Sequence, residues 1–199
     1  MSRLPESSSS GPAAAITLRP AKPDDIPAID AMHFLSVQAL GSADYSPAEI
    51  EAFLGHLGTY DPALIDDGTY FVAENRGQVV ASGGWSEHLP HHPDAACDAS
   101  LRRFTLSPNS AKIRSIFVHP KYARLGLGSR IVRHAEGEAL SRGYRLLELW
   151  ATLTGVPLYR KLGYQLLDRM LVPGGNGATL AAIHMAKVIG RSSGEADAA

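Results

Sequence analysis

The chain has 199 residues, 45% of them hydrophobic and 20% charged, with 19 Lys and Arg against 20 Asp and Glu and a formal net charge of −1. This describes one globular domain with a real core, and it excludes collagen, coiled coil and disorder throughout. The single cysteine, Cys97, rules out an internal disulfide and a zinc-finger thiolate set, and no run approaches the roughly 18 apolar residues of a membrane span.

Residues 1–15, rich in Ser, Pro, Gly and Ala, and residues 190–199 read as disordered tails around one domain at 16–189. The first segment has no apolar signal-peptide stretch, so a reducing, cytoplasmic setting with no membrane partner is expected. Residues 16–19 alternate apolar and polar ahead of Pro20, as a short strand does. Asp24, Asp25 and Pro27 then open a helix carrying Ile26, Ile29, Ala31 and Met32. A second helix begins at Pro47, with Ser46 as its cap. Residues 70–73 and 78–82 are strands joined by a turn in which Asn75 and Gly77 favour positive φ.

Residues 86–100 are polar, broken by proline and loop-like. Residues 112–118 follow as a strand, whose alternation assigns Arg114, Ile116 and Val118 to one face and Ile113, Ser115 and Phe117 to the other. Residues 126–142 carry a stripe at Leu127, Ile131, Ala135 and Ala139, with Gly143 at the C-cap, and form the central helix. A strand at 145–151, a short helix at 156–162 ended by Gly163 and a strand at 164–167 come next. Residues 177–189 read as a final strand, although their alanine content also suits a helix. Early paired strands with one strand–helix–strand unit imply a mixed α/β sheet.

The chemistry concentrates at residues 118–129. Gly126 and Gly128, between a strand and a helix start, let backbone approach a ligand and aim several N–H groups at one point, an arrangement suited to phosphate. The same two glycines also serve a simple tight turn. Residues 99–135 hold eight basic residues and no acid, whereas residues 1–98 hold 4 Lys and Arg against 14 Asp and Glu, so an anionic partner for the middle segment is expected. A dinucleotide fingerprint lacks its third glycine, since Ile131 stands there, and a P-loop lacks its lysine after Gly128.

Val118, Pro120, Tyr122, Gly126 and Gly128 match V-x-P-x-[YW]-[RQ]-x-x-G-x-[GA], and residues 158–164, through Tyr159, Lys161, Gly163 and Tyr164, match a second motif ending in Lys-x-Gly-[FY]. With both in order on the expected elements, the chain resembles the GNAT superfamily of acyl-CoA-dependent N-acetyltransferases over residues 16–189. The resemblance implies a mixed, mainly antiparallel sheet of six to seven strands flanked by about four helices. It also implies acetyl transfer from acetyl-CoA to an amine acceptor, with no metal, no nucleic-acid partner and the option of a homodimer. Main-chain groups of Ile116, Phe117 and Val118 would hold the pantetheine arm. Arg124, Leu125, Gly126, Leu127, Gly128 and Ser129 would cradle the pyrophosphate. Three positions depart from the family pattern: Ala123 replaces the usual Arg or Gln, Thr154 stands where Asn is common, and the strand at 112–118 lacks a carboxylate base.

Tyr159, by the same resemblance, is the candidate acid for the departing thiolate, a phenol being matched to a thiolate in basicity; its other reading is a packed ring. Glu87 and Glu148 are candidate bases acting through water, with a solvated loop carboxylate and an arginine partner as their plainer readings. His88, His91, His92, Asp94, Cys97 and Asp98 have no fixed ligand spacing and read as a loop bordering the acceptor. Arg102, Arg103 and Arg114 suit an anionic acceptor or a solvated face. A non-catalytic acyl-CoA-binding module on the same fold is the alternative to an enzyme.

Overall fold

The computed structural model describes residues 16–57, 63–87, 107–173 and 177–190. The cluster from His88 to Asp98, together with Arg102 and Arg103, lies outside these residues, as do 1–15 and 191–199. Seven strands form one sheet: β1 (Thr17–Pro20), β2 (Tyr70–Asn75), β3 (Gln78–Ser86), β4 (Ala111–Val118), β5 (Leu146–Thr152), β6 (Gln165–Pro173) and β7 (Thr179–Val188). Their order is β1-β2-β3-β4-β5-β7-β6, and every neighbouring pair is antiparallel except β4 with β5. Five helices complete the described residues: α1 (Ile26–Gly41), α2 (Pro47–Ala52), α3 (Ala63–Asp66), α4 (Leu127–Ser141) and α5 (Val156–Lys161). The expected mixed, mainly antiparallel sheet is therefore present. Residues 179–188 are a strand rather than a helix, because Ala181, Ile183 and Met185 alternate into the core between β5 and β6. No helix among the described residues is long and apolar enough to cross a membrane.

The two faces of the sheet are covered separately. The α4 stripe of Leu127, Ile131, Ala135 and Ala139 is buried as the spacing predicts: Leu127 and Ile131 pack with Ala73, Val80 and Ala81, and Ala135 and Ala139, with Val132, pack with Ile113, Leu147, Leu149 and Met185. On the opposite face α1 buries Ile29 and Met32 against Tyr70 and Val72. Its inward side also carries His33 and Ser36, while Ala31 is exposed. At the start of α2, Ser46 Oγ accepts from the Glu49 N–H at 3.4 Å, and Glu49 Oε2 accepts from the Ser46 N–H at 2.8 Å, a reciprocal capping box.

Two local expectations give way. In the β2–β3 turn it is Arg76 (φ 50) and Gly77 (φ 80) that adopt positive φ. Asn75 instead pairs with Gln78 and donates its amide to the Tyr122 hydroxyl at 2.9 Å. In β4, Ser115 adopts φ 51 and the register with β3 slips between Ser82 and Gly84. One inserted residue reverses side-chain parity. Ile113, Ile116 and Val118 therefore share the α4 face, and Phe117 turns toward α1. Simple alternation had put Ile113 opposite Ile116.

On β3, Gly83 faces this bulge without a side chain and Gly84 faces the Thr69–Tyr70 backbone. A Cβ at Gly83 would stand 3.1 Å from Ile116 Cα, and one at Gly84 would stand 2.1 Å from the Thr69 carbonyl oxygen. Gly84→Ala is expected to lower the unfolding free energy by about 1–3 kcal/mol, read from urea denaturation. Gly137→Ala, on α4 with open space around it, serves as the neutral or stabilising control.

Candidate active site

β4 and β5 are paired at only two positions, Ala111 with Leu147 and Lys112 with Glu148, and then separate. On its other edge β4 continues along β3, through Phe117 with Ser82 and through the His119 N–H to the Val80 carbonyl at 2.9 Å. In an antiparallel ladder alternate residues turn their N–H and C=O outward. Ile116 and Val118 thus present theirs to the gap where β5 has left. The gap opens into a cavity of about 160 Å³ lined by Ile116, Phe117, Val118, Thr152 and Leu158, and walled on the α1 side by residues including Ser36 and Tyr45. Tyr45 ties that wall to the sheet, donating to the Ala181 carbonyl and accepting from the Leu153 N–H, both at 2.7 Å.

At the end of β4 the chain passes through Arg124 (φ 65) and Gly126 (φ 82), both left-handed, into α4. The first helical bond runs from the Arg130 N–H to the Gly126 carbonyl at 3.0 Å. The N–H groups of Leu127, Gly128 and Ser129 therefore have no partner within the helix and point out with the positive end of its dipole. The first turn sits close on the cavity wall, since a Cβ at Gly128 would lie 3.1 Å from Leu158 Cδ2. Arg124 and Leu125 are exposed beside it. Arg130 Nη1 instead donates to the Ile16 carbonyl at 2.7 Å, so its charge is directed to β1.

The remaining candidates are spread over distinct surroundings. Tyr159 is buried in the core on the α4 side, edge-to-face with Tyr164 at 5.7 Å; burial pushes its phenol pKa up and keeps it protonated. Its neighbour Leu158 lines the cavity. Glu148 is buried near the vertex where β4 and β5 still pair. It accepts from the Ser107 N–H at 2.7 Å and from the Ser110 hydroxyl, and meets His184 Nε2 at 3.0 Å. His184 in turn stacks on Trp150 at 4.7 Å. Lys112 donates to the Glu87 carbonyl at 3.1 Å and to the Ser110 carbonyl, and burial pushes its ammonium pKa down. Glu87 itself is a half-exposed carboxylate 3.5 Å from Arg142, just past the C-terminal end of α4. That is roughly 22 Å, the length of a 15-residue helix, from the glycine loop. Thr154 lines the cavity and donates its hydroxyl to Asp44 at 2.7 Å. Among the described residues no group of three or more His, Cys, Asp or Glu could hold a metal.

One cluster had no signature in the sequence. His33 of α1, Tyr70 of β2 and Ser82 of β3 meet beneath the bulge: His33 Nε2 is 2.7 Å from Ser82 Oγ and 3.2 Å from the Tyr70 hydroxyl. The Tyr70 hydroxyl also lies 3.1 Å from Ser82 Oγ and 3.1 Å from the Ser115 carbonyl. Phe117 covers the imidazole at 4.2 Å between ring centres. The only local hint was a histidine on the apolar side of a helix.

Comparison with known proteins adds the following. The model of the Acetyltransferase (GNAT) family matches residues 35–164. An uncharacterised N-acetyltransferase of Methanocaldococcus jannaschii is 27% identical over 103 residues, covering 50% of this chain and 40% of that protein. The chain thus spans less than half the length of the curated relative it matches. A GCN5-related N-acetyltransferase from Rhodopseudomonas palustris has a similar fold, with TM-score 0.67, 24% identity, and 89% of this chain and 98% of the other covered. So does the PaiA N-acetyltransferase of Thermoplasma acidophilum in complex with coenzyme A, with TM-score 0.62, 14% identity, and 88% and 99% covered.

The buried histidine makes stability depend on pH. Burial pushes its pKa down from 6.5 to about 3, so the unfolded chain binds a proton that the folded chain refuses between those values. Its contribution is complete above about pH 6.5 and is lost as pH falls toward 3, at up to about 1.4 kcal/mol per pH unit. Urea titrations across that window are expected to give a flatter pH dependence for His33→Gln than for the wild type.

Proposed function

The chain belongs to the Acetyltransferase (GNAT) family, and from that premise we propose that it moves an acetyl group from acetyl-CoA to a primary amine of a small molecule or peptide, by direct attack in a ternary complex. Acetyl transfer with acetyl-CoA as co-substrate follows from the family; the acceptor and the residue roles are the proposal. The observation that carries it is the combination of an outward-facing β4 edge at Ile116 and Val118, which line the cavity, with the free N–H groups of Leu127, Gly128 and Ser129 on the helix start that packs behind Val118 and Leu158 of the cavity wall. An extended pantetheine arm carries amides that pair with such an edge, and a pyrophosphate suits such a helix start. Thr154, tied to Asp44, belongs to the wall. The proposed catalytic domain is residues 16–189.

Acetyl-CoA supplies an acyl group on a thiolate leaving group. The chain's own contribution is to hold the two substrates in line and to offer the Ile116 N–H to the carbonyl oxygen on which charge develops. With the pyrophosphate at α4, an arm lying along β4 from Val118 to Ile116 directs its thioester toward the β4–β5 vertex. The acceptor nitrogen attacks the carbonyl carbon, the C–N bond forms and the C–S bond breaks. The nitrogen gives up its proton while the sulfur gains one. Glu148 at the vertex is better supported than Glu87 as the proton sink, and it works through its contact with His184. Tyr159 is the proposed donor to the sulfur from behind Leu158; burial raises its phenol pKa and weakens it as an acid, so it gives up its proton only once a displacement of Leu158 opens it to the cavity. Arg114, half-buried on β4 two residues beyond the last β4–β5 pair, favours an acceptor that also carries an acidic group.

A panel of amines assayed for release of the CoA thiol tests the reading. Turnover with at least one amine, acidic ones preferred, is expected; binding of CoA with no turnover across the panel would leave a non-catalytic module. Tyr159→Phe is expected to lower kcat roughly 10²-fold at unchanged CoA affinity. The same kcat and the same pH profile would remove Tyr159 from the mechanism.

A further inference from the structure

We propose that Tyr70 is a positioning residue for acetyl transfer, acting through the Ser115–Ile116 peptide that it holds from behind. The inference rests on reading the cavity as the acetyl-CoA site. Ser115 is one of three non-glycine residues with positive φ among the described residues, and it stands at the slip in the β3–β4 register. A left-handed conformation costs a side-chain-bearing residue roughly 1–2 kcal/mol, so the bulge persists because its surroundings enforce it. Three contacts do so. Gly83 leaves room for Ile116 opposite it, Phe117 is pinned over His33, and the Tyr70 hydroxyl takes the carbonyl that the ladder no longer uses.

A trans peptide is planar, with its C=O and N–H pointing in opposite directions. No cis peptide bonds occur among the described residues. Because the Ser115 carbonyl is bonded to Tyr70 within the α1-side cluster, the Ile116 N–H is directed away from Tyr70, and Ile116 lines the cavity. A carbonyl can only accept, so the single phenol proton belongs to Ser115, and the phenol oxygen accepts in turn from Ser82 or His33. Donation into a carbonyl strengthens its peptide's own N–H as a donor. The fully buried Tyr70 therefore both fixes where that N–H points and increases its pull on the thioester oxygen. His33, held neutral, keeps the cluster's hydrogen bonding unchanged over the working pH range.

Infrared difference spectra of the full chain with acetyl-CoA carrying a 13C label in its thioester carbonyl report this pull directly. In the wild type the bound carbonyl stretch is expected below that of free acetyl-CoA. In Tyr70→Phe it returns most of the way to the free value, while the acetyl-CoA Kd stays within about twofold. Turnover, or basal thioester hydrolysis, falls roughly tenfold, less than the ~10²–10³ lost when an oxyanion donor is removed outright. 3-Fluorotyrosine placed at residue 70 by nonsense suppression keeps the shape and gives a stronger donor. It is expected to lower the frequency further, so the proposal stays testable if Tyr70→Phe folds poorly. An unchanged frequency in both variants overturns the role of Tyr70. Failure of the wild type to bind acetyl-CoA overturns the site reading beneath it.

Discussion

The architecture turns on the brevity of one strand pairing. β4 and β5 are the only parallel neighbours in the sheet, and they share two residue pairs before they part. Closing the rest of that seam would satisfy the backbone groups of Ile116 and Val118, as such groups normally are. The bulge at Ser115 and the α4 start below it hold the seam open instead, so the fold keeps an unused β edge lined by its own core. Residues on both sides converge on this opening: Leu158 from α5, Thr152 from β5, Tyr45 from the α1–α2 connection.

The bulge also divides the labour of the two faces. On the α4 side, Ile116 and Val118 pack against Leu127 and Ile131, which fixes the helix start relative to the open edge. On the α1 side, Phe117, His33, Tyr70 and Ser82 form a polar cluster roofed by an aromatic ring. Buried polar groups are costly unless satisfied, and here they are spent on a peptide that an ordinary ladder would have left regular. A further polar set, Lys112, Ser110, Glu148 and His184, closes the vertex. The acyl donor and its acceptor are thus expected to meet between two buried hydrogen-bonded clusters rather than on a mobile surface.

The sequence made the scaffold legible where periodicity is strong and punctuation is local. The Leu127 to Ala139 stripe, the Ser46–Pro47 start and the Gly126–Gly128 helix entry carry their own signals, and all appear in the structure. It was silent where a tertiary contact overrides local preference. Nothing in residues 112–118 marks Ser115 as the inserted residue, because the cause lies in Gly83 and Tyr70 of neighbouring strands. The basic block shows the same limit. Lys112 is buried against carbonyls, Arg130 serves β1, and Arg124 stands exposed at the loop itself. A run of charge in sequence becomes several unrelated contacts once strand and helix alternate.

Amide hydrogen exchange at Ile116 and Val118, with and without acetyl-CoA, tests most directly the claim that the open β4 edge is the acyl-donor site. Protection of at least one of these two amides on binding, together with Leu127 to Ser129, is the predicted result. Tight binding that leaves both β4 amides exchanging as in the free chain would contradict it.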